Sequence, residues 1–456
     1  MIIMHHSLRA ACALLSALAV QVHAAPGRFS FGAAPAPAGY TAVAPDTRYD
    51  AARGYGFEPG GTDDARYFSV DLPEGNHAVT IVFGSDAAQT STTVKSELRR
   101  LMLENVPAAP GQRVLRTFVA NTRSAEIAPV PGVAAGEVAL KAPRETVTEA
   151  WNWDNRLTLE FNGDPGAVQR IEIAPVRVPT VFLLGDSTVS DQPGEPYNSW
   201  GQMLPRFFGP GVAVSNHAQS GETYRDSLAR RRIDKILSMM QPGDTLLMQF
   251  GHNDQKQVKD GRSGPFTTYM AEIKTHVDMV RARGGVPVIV SPVERRAFDD
   301  AGRVKPSLRE YAQAARQSAR ELGTPFIDLN AMSQTIYAAL GVEGSKAAFA
   351  LPDSGKLDNT HHNSYGSYLL AKAVALGMRQ AGLAPARHLV GDFRFDPAHP
   401  DPGAGFAVPP SPGRPQPRPL GDDGNRDAGV GARPGTGAGA GAGAGTGPGT
   451  EAGAVK

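Results

Sequence analysis

The sequence predicts an α/β chain in which an open parallel sheet, sandwiched in three layers between helices, is preceded by an antiparallel β-sandwich. Three observations predict it. Between Arg28 and about Val176 the apolar residues alternate in short runs broken by turn clusters, the pattern of antiparallel strands with one solvated face. After Pro179 the runs become continuously apolar and alternate with helical stretches, the pattern of strands buried between helices. From Asp401 the chain turns to Gly, Ala and Pro with almost no large apolar side chain, and such a segment cannot build a core. At roughly 150 residues per domain, 456 residues leave room for two or three domains.

In chain order, Ala10–Val20 is an apolar run behind Arg9, too short to span a bilayer, and Val22-His23-Ala24 carries the small residues a signal peptidase requires. Residues 1–24 are therefore expected to be a signal peptide, and the protein to be exported to the periplasm or the medium. The one cysteine, Cys12, would leave with it, which excludes disulfides, thiol catalysis and cysteine zinc sites from the mature chain. Residues 28–176 form the predicted sandwich. Its strands include Tyr67–Leu72, His77–Phe83, Arg156–Phe161 and Val168–Ile173, separated by turns such as Pro73-Glu74-Gly75-Asn76 and Asn162-Gly163-Asp164-Pro165-Gly166.

Residues 178–390 form the second predicted domain, with strands at Val181–Leu184, Val212–Ser215, Thr245–Phe250, Val286–Val290 and Pro325–Leu329. Tyr269, Ile273, Val277 and Val280 share one helical face, and Leu308, Tyr311, Ala315 and Leu322 share another. Residues 401–456 are expected to be a disordered tail and hold 16 of the chain's 51 glycines and 9 of its 37 prolines.

Lys and Arg number 46 against 45 Asp and Glu, a net charge of +1. That balance leaves no field to hold a phosphate backbone, so nucleic acid is not expected as a partner, and no membrane partner is expected either.

In an open parallel sheet, ligands bind at the carboxyl ends of the strands, and the chemically distinctive residues fall there. The first strand ends in Gly185-Asp186-Ser187-Thr188, the second leads to Asn216-His217-Ala218-Gln219-Ser220-Gly221, and the third ends in Gly251-His252-Asn253-Asp254. Asp358-Asn359-Thr360-His361 then precedes a helix that begins near Asn363. A serine hydroxyl needs an adjacent base, and the base an orienting carboxylate; His361 and Asp358, three apart in a turn, can serve as that pair for Ser187. The N–H groups of Ser187 and Gly221 and the side-chain amide of Asn253 can converge on a developing oxyanion. Each block alone also reads as an ordinary strand-ending turn or a helix cap. Their order and placement in one sheet favour a joint catalytic reading. His217, His252 and His362 lack the spacing of metal ligands, so no metal and no cofactor are expected.

These blocks resemble, in order, those of the SGNH or GDSL-type hydrolase superfamily, whose fold is flavodoxin-like. The resemblance implies that Ser187 is the nucleophile, that Gly221 and Asn253 complete an oxyanion hole with the Ser187 amide, and that His361 is the base with Asp358 as its partner. A closer likeness, to rhamnogalacturonan acetylesterases of carbohydrate esterase family twelve, rests on four segments: Gly185-Asp186-Ser187-Thr188-Val189, Asn198-Ser199-Trp200-Gly201-Gln202, Ser291-Pro292-Val293-Glu294-Arg295-Arg296 and Asp358-Asn359-Thr360-His361. The first half is similar to a galactose-binding-like sandwich through Phe29-Ser30-Phe31-Gly32, Gly54-Tyr55-Gly56-Phe57 and Glu97-Leu98-Arg99-Arg100.

One departure bears on substrate. Relatives tend to carry a basic residue after the Gly221 equivalent, whereas this chain has Glu222, a carboxylate that would repel a uronic acid if it faced the site. Arg295 and Arg296 are candidates for binding galacturonate carboxylates, or else surface ion pairs. Trp200, with Tyr197, is a candidate wall for stacking sugar, or else core. Trp151 and Trp153 read as core or interface rather than sugar contacts.

The expectation is thus an exported serine esterase that removes acetyl groups from plant cell-wall polysaccharide, rhamnogalacturonan or another pectin, through an acetyl-enzyme on Ser187. Acetylated xylan, small esters or lipids remain alternative substrates. A carbohydrate-binding protein with an inert hydrolase domain is the alternative of another class. Oligomeric state is not legible.

Overall fold

The computed structural model describes residues 27–32, 35–62, 65–258 and 263–412. The expected leader and residues 413–456 of the expected tail lie outside the described residues.

The first half is a sandwich of two five-stranded sheets. One sheet runs, in spatial order, Thr41–Val43, Gly27–Phe31, Val168–Pro175, Gly75–Phe83 and Val114–Thr122; the other runs Tyr55–Phe57, Ala65–Asp71, Arg156–Asn162, Thr90–Ser96 and Arg100–Ala108. Pairing is antiparallel except between the first two strands of the first sheet. Along Gly75–Phe83, Val79, Ile81 and Phe83 are buried and alternate with half-exposed neighbours, so the period of two does set an inner and an outer face. Phe29, Phe57 and Phe68 meet edge to face or tilted between the sheets.

The second sheet corrects the expectation of one solvated face. Ser69, Lys95, Thr158 and Glu160 on its outer side are all buried. Lys95 Nζ lies 3.3 Å from Glu160 and donates to the Pro409 carbonyl at 2.8 Å and the Ser411 hydroxyl at 2.7 Å. Tyr67 of the same sheet reaches the Pro412 carbonyl. The tail residues that cover this polar face are also anchored on the second half, where Phe406 packs against Tyr365 and Tyr368 and the Asp401 carbonyl accepts from the Tyr365 hydroxyl at 2.7 Å. Residues 401–412 are thus an ordered strap. Two aromatic contacts and a row of donors seeking backbone carbonyls order it, even though its own composition carries no core.

The second half is built on a five-stranded, all-parallel sheet in the order Ala213–Asn216, Thr180–Gly185, Thr245–Gln249, Val286–Val290, Phe326–Ile327. Val181 and Leu183 pack with the helix Ser364–Gln380, whereas Phe182 and Leu184 join Ile273, Val277, Tyr311 and Ala315 on the other side. The first strand lies between the second and the third, so the chain leaves it to opposite sides in successive crossovers. That switch point is where such sheets open a crevice.

Residues 123–155 leave the sandwich after Thr122 and return at Arg156. Along the way Ile127, Val133 and Val138 enter the same core as Phe182, Leu184 and Ile233, so this stretch packs on the parallel-sheet unit. No helix among the described residues is long and apolar enough to cross a membrane.

Candidate active site

Gly185 ends the first strand where a Cβ would lie 2.5 Å from the Gln249 carbonyl, so only glycine lets the two strands close there. The chain then turns about Asp186, whose carbonyl accepts from the N–H groups of Val189 and Ser190 at 3.0 and 2.9 Å. One Asp186 carboxylate oxygen takes the Thr188 N–H and hydroxyl at 3.0 and 2.8 Å; the other lies 3.2 Å from His252 Nδ1. Gln192 donates to the Ser187 carbonyl at 2.7 Å. With its backbone fixed on both sides, Ser187 projects its hydroxyl from the carboxyl end of the sheet.

Asp358 organises the facing loop. Its Oδ1 accepts from the N–H groups of Thr360 and His361 at 2.8 and 2.9 Å, and its Oδ2 lies 3.0 Å from His361 Nδ1. His361 Nε2 lies 2.9 Å from Ser187 Oγ. An ionised carboxylate can only accept, so Nδ1 carries the proton and Nε2 is left to accept from the serine. Burial pushes the Asp358 carboxyl up, but the hydrogen bond and charge of His361, with the two backbone N–H groups, outweigh it and hold the group well below its ordinary range. The adjacent His362 turns away, its Nε2 2.8 Å from the Tyr337 hydroxyl, and burial with the neighbouring His361 charge drives it down to about 3. Of the two histidines, only His361 meets Ser187.

Gly221 has φ +78°, a left-handed conformation that suits glycine. The Asn253 amide is oriented at both ends: its Oδ1 accepts from Lys256 at 3.3 Å and its Nδ2 donates to the Glu222 carbonyl at 3.2 Å, leaving a second N–H. Among the described residues the N–H groups of Ser187 and Gly221 have no other acceptor.

The expected substrate contacts fare differently. Trp200 is 0% exposed and donates from its indole to Gln249 at 2.8 Å, because it opens a helix whose face packs on the sheet; its ring has no face for a sugar. Arg296 is committed to Ser345 Oγ at 3.0 Å and to the Val342 carbonyl, which ties its loop to the end of a helix and spends the fork expected for a carboxylate. Arg295 is half-buried and donates to Ser307 at 3.2 Å, on the loop whose next residue, Arg296, gives its N–H to the Asn359 carbonyl at 2.7 Å. Tyr197 is buried, edge-on to the His361 ring.

Glu222 does not face the site either. It is 0% exposed and lies 2.7 Å from Arg232, 3.6 Å from Arg230 and 3.8 Å from Lys141, so three cations answer its charge. Arg232 in turn holds Glu145 through two bonds of 2.9 and 2.6 Å. Lys141, Arg144, Glu145 and Glu149 all come from the 123–155 stretch. Sequence reasoning passed over them, since they stand some 70 to 90 positions from the residues they meet and belong to no motif. No group of three or more His, Cys, Asp or Glu among the described residues could hold a metal ion.

The family model of the GDSL-like lipase/acylhydrolase family matches residues 183–367. The chain is 40% identical over 221 residues to the rhamnogalacturonan acetylesterase RhgT of Bacillus subtilis, covering 46% of this chain and 94% of that protein. It is 32% identical over 206 residues to the probable rhamnogalacturonan acetylesterase YesY of the same organism, covering 44% and 94%. It is also 25% identical over 387 residues to the uncharacterised esterase YxiM of that bacterium, covering 78% and 91%.

Proposed function

This chain belongs to the GDSL-like lipase/acylhydrolase family and is a carboxylic ester hydrolase, and from that premise we propose that it is an exported serine esterase that removes acetyl groups from a pectic polysaccharide, rhamnogalacturonan above all. The observation that carries the reading is the line of contacts from Ser187 Oγ through His361 to Asp358, 2.9 and 3.0 Å, with unspent N–H donors on Ser187 and Gly221.

In this reading Ser187 Oγ attacks the acetyl carbonyl and its proton passes to His361 Nε2, while Asp358 stabilises the imidazolium through Nδ1–H. The oxyanion is received by the N–H groups of Ser187 and Gly221 and by Asn253 Nδ2. Collapse breaks the ester bond, and the departing sugar hydroxyl takes the proton from Nε2. Water then attacks the acetyl-enzyme, passes a proton to Nε2, and acetate leaves as the proton returns to Ser187.

Support for a pectic substrate comes from the two relatives named for rhamnogalacturonan and from the withdrawal of Glu222 into its cluster of cations, which leaves that carboxylate no role in repelling galacturonate. Export is inferred from the 1–24 leader pattern. The test is acetate release from acetylated rhamnogalacturonan, homogalacturonan and xylan in parallel, with Ser187→Ala as control. Release from the pectic polymers that vanishes in the variant is expected; release from xylan alone removes pectin as substrate, and release undiminished in the variant removes Ser187 as nucleophile.

A further inference from the structure

Gly221 lies in the loop beyond the end of its strand, Ala213–Asn216, and a left-handed glycine is the residue least able to resist rotation of its preceding peptide. A half-turn of that peptide would replace the Gly221 N–H by the Ser220 carbonyl and set an acceptor where the oxyanion must form. The Ser220–Gly221 bond is trans, so its C=O and N–H point in opposite directions, and whatever holds the oxygen aims the hydrogen. The oxygen is held by Lys141, whose Nζ donates to it at 2.7 Å.

Lys141 is 9% exposed, its backbone N–H donates to Glu145 at 2.8 Å, and it comes from the excursion of the first half, about eighty positions upstream of the loop it meets. The neighbours of that peptide are braced from the same direction. Gln219 Nε2 donates to Glu149 at 2.7 Å, and Arg144 lies 3.3 Å from Ser220 Oγ.

We infer that Lys141 is a positioning residue, a buried ammonium from the first half of the chain that fixes the Ser220–Gly221 peptide with its N–H toward the oxyanion. It acts from behind, without touching substrate. Flipping the peptide would break that buried charge-assisted hydrogen bond, so the productive orientation is set before substrate arrives. An ammonium on the carbonyl also polarises the peptide and strengthens the N–H as a donor. The inference rests on the oxyanion-hole reading given above.

The test uses the full chain and p-nitrophenyl acetate. Lys141→Met keeps the aliphatic stem and removes the donor; kcat is expected to fall about 100-fold, the scale of a lost oxyanion donor, with KM changed less than about threefold. A tetrahedral adduct of Ser187 with methaneboronic acid should weaken by the same factor as kcat/KM falls, and Lys141→Arg should recover part of both, a pattern that general loosening of the fold does not produce. Arg144→Met, which loses an ion pair to Glu149 and contacts to Gln192 and the Ser220 hydroxyl but leaves the Lys141 bond to the Ser220 carbonyl in place, should change kcat much less. A folded Lys141→Met with wild-type kcat and boronate affinity overturns the inference even when Ser187→Ala is inactive, whereas an active Ser187→Ala overturns the reading beneath it. If Lys141→Met does not fold, Lys141→Gln, neutral and shorter, takes its place, and a kcat within about twofold of wild type overturns the inference equally.

Discussion

A carboxylate as deeply buried as Asp358 stays ionised because donors converge on it, and three of them, the N–H groups of Thr360 and His361 and the His361 imidazole, also fix the loop that carries His361. Asp358→Asn leaves the shape but offers an amide N–H or a weak acceptor to Nδ1, and so favours the wrong imidazole tautomer. We expect kcat on acetylated substrate to fall by about 10²–10⁴-fold with KM little altered, read by steady-state kinetics. Asn253→Ala removes one proposed oxyanion donor while Gly251 and Tyr224 stay tied to Asp254, so it should cost about 10²–10³ in kcat with a melting temperature close to wild type. An unchanged kcat in the Asn253 variant would remove that side chain from the oxyanion hole.

Elements tell a different story about what sequence can reveal. Of the five parallel strands, Val286–Val290 falls where the apolar run predicts it and the three before it shift by one residue at one or both ends, because a strand buried on both faces writes itself as an unbroken apolar run. The fifth shrinks from Pro325–Leu329 to Phe326–Ile327, since Asp328 caps the following helix and ends the pairing early. The Ser187, Gly221, Asn253 and Asp358/His361 blocks were legible because each sits at a strand end or beside a helix start. Of the two readings of Trp200, sugar wall or core, the structure gives core, and the sequence does not decide between them because nothing local shows which way a helix's first turn faces. The strap escaped notice because its order comes from Lys95, Tyr67, Tyr365 and Tyr368, none of them in the strap. Truncation after residue 400 should therefore lower the melting temperature relative to truncation after residue 412, by an amount worth about 1–3 kcal/mol, as measured by calorimetry. Identical melting curves would show the strap to be idle.

At the scale of the whole molecule, the two halves are joined by charge buried on both sides. Arg100 reaches from the sandwich to Asp191 at 2.7 Å, and Arg232 is bound by Glu145, all with almost no exposure. Burial pushes the Glu145 carboxyl up, but Arg232 pulls it down to about 2, well under its ordinary 4.5. A carboxyl depressed in the fold stabilises the fold above its unfolded value and loses that contribution as pH falls from 4.5 toward 2. Glu145→Gln should thus cost about 3 kcal/mol near neutral pH, where it leaves Arg232 short of a partner, and the gap to wild type should narrow through that acid window in a series of melts. A gap independent of pH would mean that the pair contributes packing and no charge.

The 123–155 excursion has one more consequence. Its apolar side chains lie in the parallel sheet's core while its ends are strands of the sandwich, so neither half can open without dismantling the other. In the language of native-state hydrogen exchange the chain should behave as a single foldon with two architectures. The slowest amides of Gly75–Phe83 and of Thr180–Gly185 should exchange through the same opening event, and the boundary drawn near residue 177 should leave no trace in their rates.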